Sequence, residues 1–553
     1  MRTGETDKSG FELSEFQEGV TTPGQIAAAE GSIANAGTGQ TAMKRFSLES
    51  RTVVGTAFFL TLVSFAISSR ADDLTGNWVA RNPQPDGTSR DTYLDLKQVG
   101  SRITGHIRVT QFYYNIVEST GGPDTFILTG SMMDGHNERR VKYEVKRVGD
   151  DLHIATRRRP DSELIEMVAH PAPAGEGALP ARLPLPELHD VPDSGLAQTP
   201  PMGWNSWNKF AERVDDEAVR AMADAIASNG MKEAGYQYVN IDDTWQGGRD
   251  AEGNIIPNKK FPDMKALADY VHSKGLRIGI YSSPGPKTCA GYEGSYGREE
   301  QDAKTYAAWG IDYLKYDWCG ARSLYADEDM QAVYQKMGDA LLKVGRPILY
   351  SLCQYGRAEV WKWGAKVGGN AWRTTGDIHD SWESMAKIGF AQDGLASYAR
   401  PGHWNDPDML EIGNGGMTED EYKVHMTLWA LLAAPLLAGN DLRAMSPAIA
   451  AILTNTEVIA VDQDKEGKQG RRINQSGDQE IWARPLSGNQ RAVALFNRGA
   501  EPAAITVHWS ELGVKSTPSS ARDLWAHKEL HPPGQQYTAT VPAHGVILLR
   551  LGN

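Results

Sequence analysis

The sequence predicts a (β/α)8 barrel with a C-terminal antiparallel β-sandwich, preceded by an extra small all-β domain. Three observations carry this reading. From about residue 198 to 460, eight short apolar segments alternate with amphipathic helices, in the number and length of such a barrel. From about 470 to the C-terminus the helical period disappears and strand-like runs replace it. Between 73 and 170, apolar and polar residues alternate in short runs separated by Gly- or Asp-containing turns. The layout is therefore a leader over 1–71, a small all-β domain over 72–170, a Pro-rich linker over 171–197, a barrel over 198–465 and a sandwich over 466–553.

The leader reads as an address label. Residues 1–42 have no helical or strand period. Then Lys44, Arg45 and Arg51 precede an apolar run from Val53 to Ile67, and Ser69-Arg70-Ala71 follows. A basic segment, a short apolar core and small residues before a cleavage point are the pattern of a secretory signal over about 43–71. The pattern places cleavage after Ala71 and makes Met43 an alternative start. A secreted or periplasmic protein with no stable membrane insertion after cleavage is expected. Leu428–Gly439 is apolar but too short to span a bilayer, and Pro435 interrupts it.

In the first β domain, strands are expected at Thr92–Val99, Arg102–Val109, Thr125–Met132, Arg140–Val148, Leu152–Thr156 and Leu164–Val168, as a sandwich or a barrel. Its Trp78, Tyr93, Phe112, Tyr113 and Tyr114 suit either a core or a sugar-stacking face. The linker, with Pro171, Pro173, Pro180, Pro184, Pro186 and Pro192, is stiff and extended. Barrel strands are expected at Met202–Trp207, Tyr238–Asp243, Leu276–Ser283, Ile311–Trp318, Ile348–Cys353, Ala371–Asp377, His403–Met409 and Pro435–Asp441. One intervening helix carries Val219, Met222, Ala223 and Ile226 on a single face, with Gly230 placed to stop it. A doubly wound sheet would carry a Gly-rich phosphate turn after its first strand, and Gly203-Trp204-Asn205-Ser206-Trp207 is not one. Sandwich strands are expected at Glu480–Leu486, Ala492–Asn497, Ala504–His508, Arg522–Trp525 and Val546–Leu551.

Composition removes several function classes. With 57 Lys+Arg against 70 Asp+Glu the chain carries a formal charge of −13 and has no basic block, which argues against nucleic-acid binding. Three cysteines allow at most one bridge and one free thiol. The barrel has no His-x-His pair and its histidines are scattered, so no metal site and no cofactor are expected. The sequence sets no oligomeric state.

Functional residues of such barrels sit at the C-terminal ends of strands. Asp242, Asp243, Asp317, Asp377, Asp406 and Asp408 collect there. A carboxylate at a barrel rim is partly desolvated and costly without partners, so six together point to chemistry. Lys315 and Asp317 are two apart on a strand and share a side, which would hold Asp317 ionised. Arg373, Thr375 and Asp377 likewise share a side, and Trp207, Trp245 and Trp404 offer flat faces at the rim. Paired carboxylates with aromatic platforms suit glycoside hydrolysis. One carboxylic acid protonates the leaving oxygen, and a second carboxylate attacks the anomeric carbon or activates water.

Five motifs, in order, resemble the α-galactosidases of glycoside hydrolase family 27. They are Thr199-Pro200-Pro201-Met202-Gly203-Trp204-Asn205-Ser206-Trp207, Ile241-Asp242-Asp243-Thr244-Trp245, Tyr313-Leu314-Lys315-Tyr316-Asp317-Trp318-Cys319, Trp372-Arg373-Thr374-Thr375-Gly376-Asp377-Ile378 and Trp404-Asn405-Asp406-Pro407-Asp408-Met409-Leu410. The resemblance covers about 198–553 and leaves 73–170 outside. It implies a retaining exo-acting enzyme on terminal α-galactosides. Asp317 matches the nucleophile and Asp377 the general acid/base, roles that residue chemistry alone leaves open. Trp207, Asp242, Asp243, Lys315, Arg373 and Asp408 match sugar-binding positions, and Tyr281 falls on a pocket wall. Family relatives also bridge cysteines at the places of Cys289 and Cys319, which implies a disulfide there and leaves Cys353 free. In Ser351-Leu352-Cys353-Gln354-Tyr355-Gly356 the chain departs from many relatives, with Gln354 where Glu is common. By the resemblance, this loop faces the sugar's 2-substituent. Cys353 and Gln354 leave less room there for an acetamido group. The alternatives are an α-N-acetylgalactosaminidase or β-L-arabinopyranosidase on the same scaffold, or a non-catalytic carbohydrate-binding protein.

Overall fold

The computed structural model describes residues 73–552 except 123, 135–136, 158–160, 514–517 and 532–533. The expected leader and signal lie outside the described residues. The first β domain is a closed antiparallel barrel of eight strands: Gly76–Ala80, Thr92–Val99, Arg102–Val109, Phe112–Gly121, Phe126–Asp134, Asn137–Val148, Asp151–Thr156 and Ile165–Pro171. Along Thr92–Val99, Leu94 and Leu96 point inward while Asp95 and Lys97 face solvent, as the two-residue period requires. The first and last strands pair at Trp78↔Pro171 and Val79↔His170, so the sheet has no free edge. Of the two architectures left open, the barrel is the one formed. Trp78 and Tyr114 belong to its core. The Tyr93 and Phe112 rings are covered by Arg108 and Arg139, at 4.1 and 4.7 Å from the ring centres, so these faces are already occupied.

Eight parallel strands follow: Met202–Asn205, Tyr238–Asn240, Arg277–Ser282, Tyr313–Asp317, Leu349–Cys353, Ala371–Arg373, Trp404–Asp406 and Leu436–Ala438. They pair in ring order, and the Leu410↔Ala438 bridge joins the seventh to the eighth. Their residues are almost all buried, as a parallel sheet covered by helices requires. The helix Asp216–Ser228 buries Val219, Met222, Ala223 and Ile226 and is capped by the Asp215 side chain on the Ala218 N–H. Its C-cap is Asn229, one residue before the expected stop at Gly230. A hairpin of Gln246–Arg249 and Ile255–Pro257 is inserted after the second strand.

The C-terminal region forms a six-stranded and a two-stranded antiparallel sheet enclosing Val493, Leu495, Val507, Trp509 and Leu549. Its other face joins the parallel-strand barrel. Trp482, Phe496 and Leu548 share one apolar cluster with Phe390, Trp429 and Leu431. Among the described residues, no helix is long and apolar enough to cross a membrane.

Candidate active site

The strand ends bring the rim carboxylates together. Asp317 ends the fourth strand, is 4% exposed and accepts a hydrogen bond from the Tyr355 hydroxyl at 2.7 Å. Burial pushes its carboxyl up to about 6 against the opposing pull of Lys315 and Tyr355. Lys315 favours the charged form of Asp317, as their shared side of the strand implies, but without a direct bond. Its ammonium pairs with Asp242 at 2.8 Å and acts on Asp317 through space. Asp242 also accepts from the Asn205 side-chain amide at 2.8 Å. This set is assembled from the ends of the first, second and fourth strands and the loop after the fifth.

Asp243 is wholly buried, and burial pushes its carboxyl up to about 7. Its oxygens accept the backbone N–H groups of Thr244 at 2.7 Å and Ala290 at 2.8 Å, tying it to the loop after the third strand. Tyr281 lies inside the barrel with its hydroxyl buried and unpartnered and the Lys315 ammonium 5.5 Å from its ring centre.

On the opposite side, Arg373 ends the sixth strand and bridges Asp408 at 2.9 Å and Asp377 at 3.1 Å. Asp377 lies in the loop beyond the strand, not on it, and its side chain is 57% exposed. The two expected catalytic carboxylates thus have unlike surroundings: one is buried under a phenol, and the other is held by a guanidinium at the solvent edge. Asp408 accepts from the Ile378 N–H at 2.9 Å with one oxygen and the Met409 N–H at 2.8 Å with the other. Asp406 beneath it is pushed up by burial to about 6.

Cys353 is a buried free thiol 3.7 Å from an Arg373 nitrogen, and burial pushes its pKa well up. Gln354 is wholly buried and donates to the Arg373 carbonyl at 3.0 Å. Cys289 and Cys319 form a disulfide with Cα atoms 5.0 Å apart. Trp207 is half-buried at the start of the short helix Trp207–Phe210. The other two expected platforms are corrected. Trp245 and Trp404 are fully buried, Trp245 edge-on to Trp309 and Trp404 donating to the Ala197 carbonyl, because large rings below the rim complete the barrel core.

Of the site residues, Tyr355 went unrecognised in the sequence, and Asp406 was placed in the carboxylate cluster without a role of its own. Tyr355 adopts φ 62°, Thr244 φ 87° and Asp408 φ 112°, left-handed conformations in the loops after the fifth, second and seventh strands. Such backbone is costly for non-glycine residues and clusters where surrounding contacts over-determine it. No residue type announces it in the sequence.

Comparison with known proteins agrees with this geometry. The family model described as alpha galactosidase A matches residues 199–464, and that of the alpha galactosidase C-terminal beta sandwich domain matches 476–551. An alpha-galactosidase of Cyamopsis tetragonoloba is 51% identical over 357 residues, covering 64% of this chain and 86% of that protein. The crystal structure of alpha-galactosidase I from Mortierella vinacea superposes with a TM-score of 0.63 at 40% identity, covering 65% of this chain and 98% of that one. A family 27 β-L-arabinopyranosidase from Geobacillus stearothermophilus superposes with a TM-score of 0.59 at 27% identity, over 65% of this chain and 98% of its own. The ring of strand-end carboxylates, the motifs that supply it and the shared barrel-plus-sandwich architecture place this chain in glycoside hydrolase family 27, the α-galactosidase family, to which it belongs.

Proposed function

We propose that the protein is a secreted or periplasmic, retaining exo-α-galactosidase in which Asp317 attacks the anomeric carbon and Asp377 protonates the leaving oxygen. The observation that carries the assignment is the contrast between the two carboxylates. The Asp317 oxygen is fixed by the Tyr355 hydroxyl at 2.7 Å in a water-poor pocket, as an attacking group requires. Asp377 sits at the open edge, 57% exposed, where a leaving group departs and water enters. In the first step an Asp317 oxygen bonds C1 while Asp377 gives its proton to the departing alcohol. In the second, Asp377 takes a proton from water, the water oxygen attacks C1 and Asp317 leaves. Two inversions retain configuration.

Asp242, held by Lys315 and Asn205, presents its carboxylate as an acceptor for the axial 4-hydroxyl that separates galactose from glucose. With Asp243 beside it, two neighbouring hydroxyls can be held, each charged hydrogen bond contributing roughly 1.5–3 kcal/mol. Trp207 and Tyr281 supply apolar faces, and Arg373 and Asp408 hold the side opposite Lys315. Cys353 and Gln354, both buried against Arg373, leave little room for an acetamido group. A disulfide beside the nucleophile suits an oxidising compartment.

A panel of nitrophenyl glycosides tests the reading. The α-galactoside should be turned over with at least about tenfold higher kcat/KM than the α-N-acetylgalactosaminide or β-L-arabinopyranoside, a difference of about 1.4 kcal/mol in transition-state binding. Preference for either of the others reassigns the sugar, and no turnover of any makes the chain a binding protein.

A further inference from the structure

The N-terminal β-barrel lies outside the family motifs, yet it reaches the loops that surround Asp317. The hairpin between its strands Arg102–Val109 and Phe112–Gly121 turns through Thr110, at φ 53°, and Gln111. Gln111 is 5% exposed. Its side-chain oxygen accepts the Gly320 N–H at 2.8 Å, and its amide donates to the Cys289 carbonyl at 3.3 Å. One side chain thus joins the loops after the third and fourth strands of the catalytic barrel, beside the disulfide that links them. The fit depends on missing side chains. A Cβ on Gly291 would lie 3.1 Å from Thr110, and one on Gly320 would lie 2.3 Å from the Lys287 carbonyl oxygen.

The disulfide lies against the group that orients Asp317. The Tyr355 hydroxyl is 3.6 Å from the Cys289 sulfur and 3.9 Å from the Cys319 sulfur, and it donates to Asp317 at 2.7 Å. Ala290, next to Cys289, donates to Asp243. A second contact from the same barrel holds the third loop. Asp134 pairs with Arg322 at 2.6 Å, just beyond Gly320, and with Arg357 at 3.1 Å, two residues after Tyr355. Contacts serving docking alone could fall anywhere on the catalytic unit. These converge on the three loops that frame one carboxylate.

We propose that Gln111 is a positioning residue: the N-terminal barrel inserts its amide between the Cys289 and Cys319 loops and, through the disulfide, sets the Tyr355–Asp317 pair for attack. The inference rests on Asp317 being the nucleophile. It makes the appended domain part of the catalytic apparatus rather than a separate sugar-binding module.

The test uses the full chain and a fluorinated galactosyl fluoride, whose C1 is attacked by a carboxylate oxygen as fluoride leaves, trapping the glycosyl-enzyme. Gln111→Met keeps the length and volume and deletes both hydrogen bonds. Misplacing a reacting group by a fraction of an ångström to an ångström should slow labelling at saturating reagent by about 10- to 100-fold, with the half-saturation concentration changed less than about twofold. The measurement is made well below the melting temperature of each variant. Asp134→Asn, which removes the charge between Arg322 and Arg357, should slow labelling in the same way and guards against poor folding of the first variant. Labelling of both variants at the wild-type rate overturns the proposal. So does a loss confined to temperatures near melting, which marks a purely structural contact. Peptide mapping of wild type separates the premise: a label on a residue other than Asp317 removes the nucleophile assignment, and the positioning role falls with it.

Discussion

The two appended β domains attach to the catalytic barrel by different physics. The C-terminal sandwich shares its core with the barrel. Phe496 meets Phe390 edge-on at 5.2 Å, and Trp482, Leu548, Trp429 and Leu431 continue the same cluster. The N-terminal barrel keeps a separate core of Leu94, Ile107, Leu128, Val145 and Leu152. Its joint includes polar contacts. Arg90 takes both Glu212 oxygens at 2.8 and 2.7 Å, Tyr292 donates to Asp86 at 2.6 Å, and Gln111 and Asp134 reach the site loops. An apolar joint makes one folding unit, because separation exposes a core. A polar joint tolerates separation but is directional, and so can fix loop geometry. The sandwich therefore serves the stability of the barrel, and the N-terminal barrel serves the geometry of its mouth.

The sharpest break in that contrast is Phe496→Ala. It should cost about 3–5 kcal/mol and lower the unfolding of catalytic barrel and sandwich together. Calorimetry that showed the sandwich melting alone would refute the shared unit. Arg90→Met, at the polar joint, should cost about 1.5–3 kcal/mol of docking by leaving Glu212 without its bidentate partner and removing one donor from the Tyr292 hydroxyl. It should split an early N-terminal transition from an unmoved main one. Ile107→Val, wholly inside the N-terminal core, should shift only that early transition, by about 0.5–1.5 kcal/mol.

Acidity separates the two regions in opposite directions. In the catalytic unit, burial raises Asp317 and Asp406 to about 6, Asp243 and Glu411 to about 7 and Asp462 to about 8. Against an unfolded value of about 3.9–4.3, the folded state binds more protons, so stability falls as pH rises from about 4 to about 8. In the N-terminal barrel, burial works to raise Asp86 and Asp91, but hydrogen bonds from Thr88 and Tyr292 to one and from Ser89 and Arg81 to the other hold them low. Their contribution is present above the unfolded value and is lost as pH falls below about 4. Melting curves across pH should show the main transition strengthening toward pH about 5 and the N-terminal one weakening only in stronger acid. Parallel shifts would contradict this.

The barrel was legible because its parallel strands are short apolar runs that end in acid, as at Tyr313–Asp317. The carboxylate cluster was legible for the same reason. Backbone conformation and long-range contact were not. Tyr355 acts from a left-handed turn that its residue type disfavours. The strand Phe112–Gly121 alternates poorly and carries a register shift between Ile116 and Glu118, so its period is broken. Gln111 is an ordinary polar turn residue until the fold brings Gly320, 209 positions away, against it. Lys315 reads as a partner of Asp317 by strand alternation, yet the segment after the second strand, across the barrel mouth from it, presents Asp242 to its ammonium at 2.8 Å.

The central claim is that the buried Asp317 attacks and the exposed Asp377 transfers the proton. Azide rescue tests it directly. Asp317→Gly opens a space from which azide attacks C1 once, giving β-galactosyl azide. Asp377→Gly keeps its nucleophile, so a substrate with a good leaving group still forms the intermediate, and azide then attacks it to give the α-azide. The anomeric configuration of each product is read by NMR. The account predicts the β-azide from the first variant and the α-azide from the second; the reverse pair would show that the two roles are exchanged.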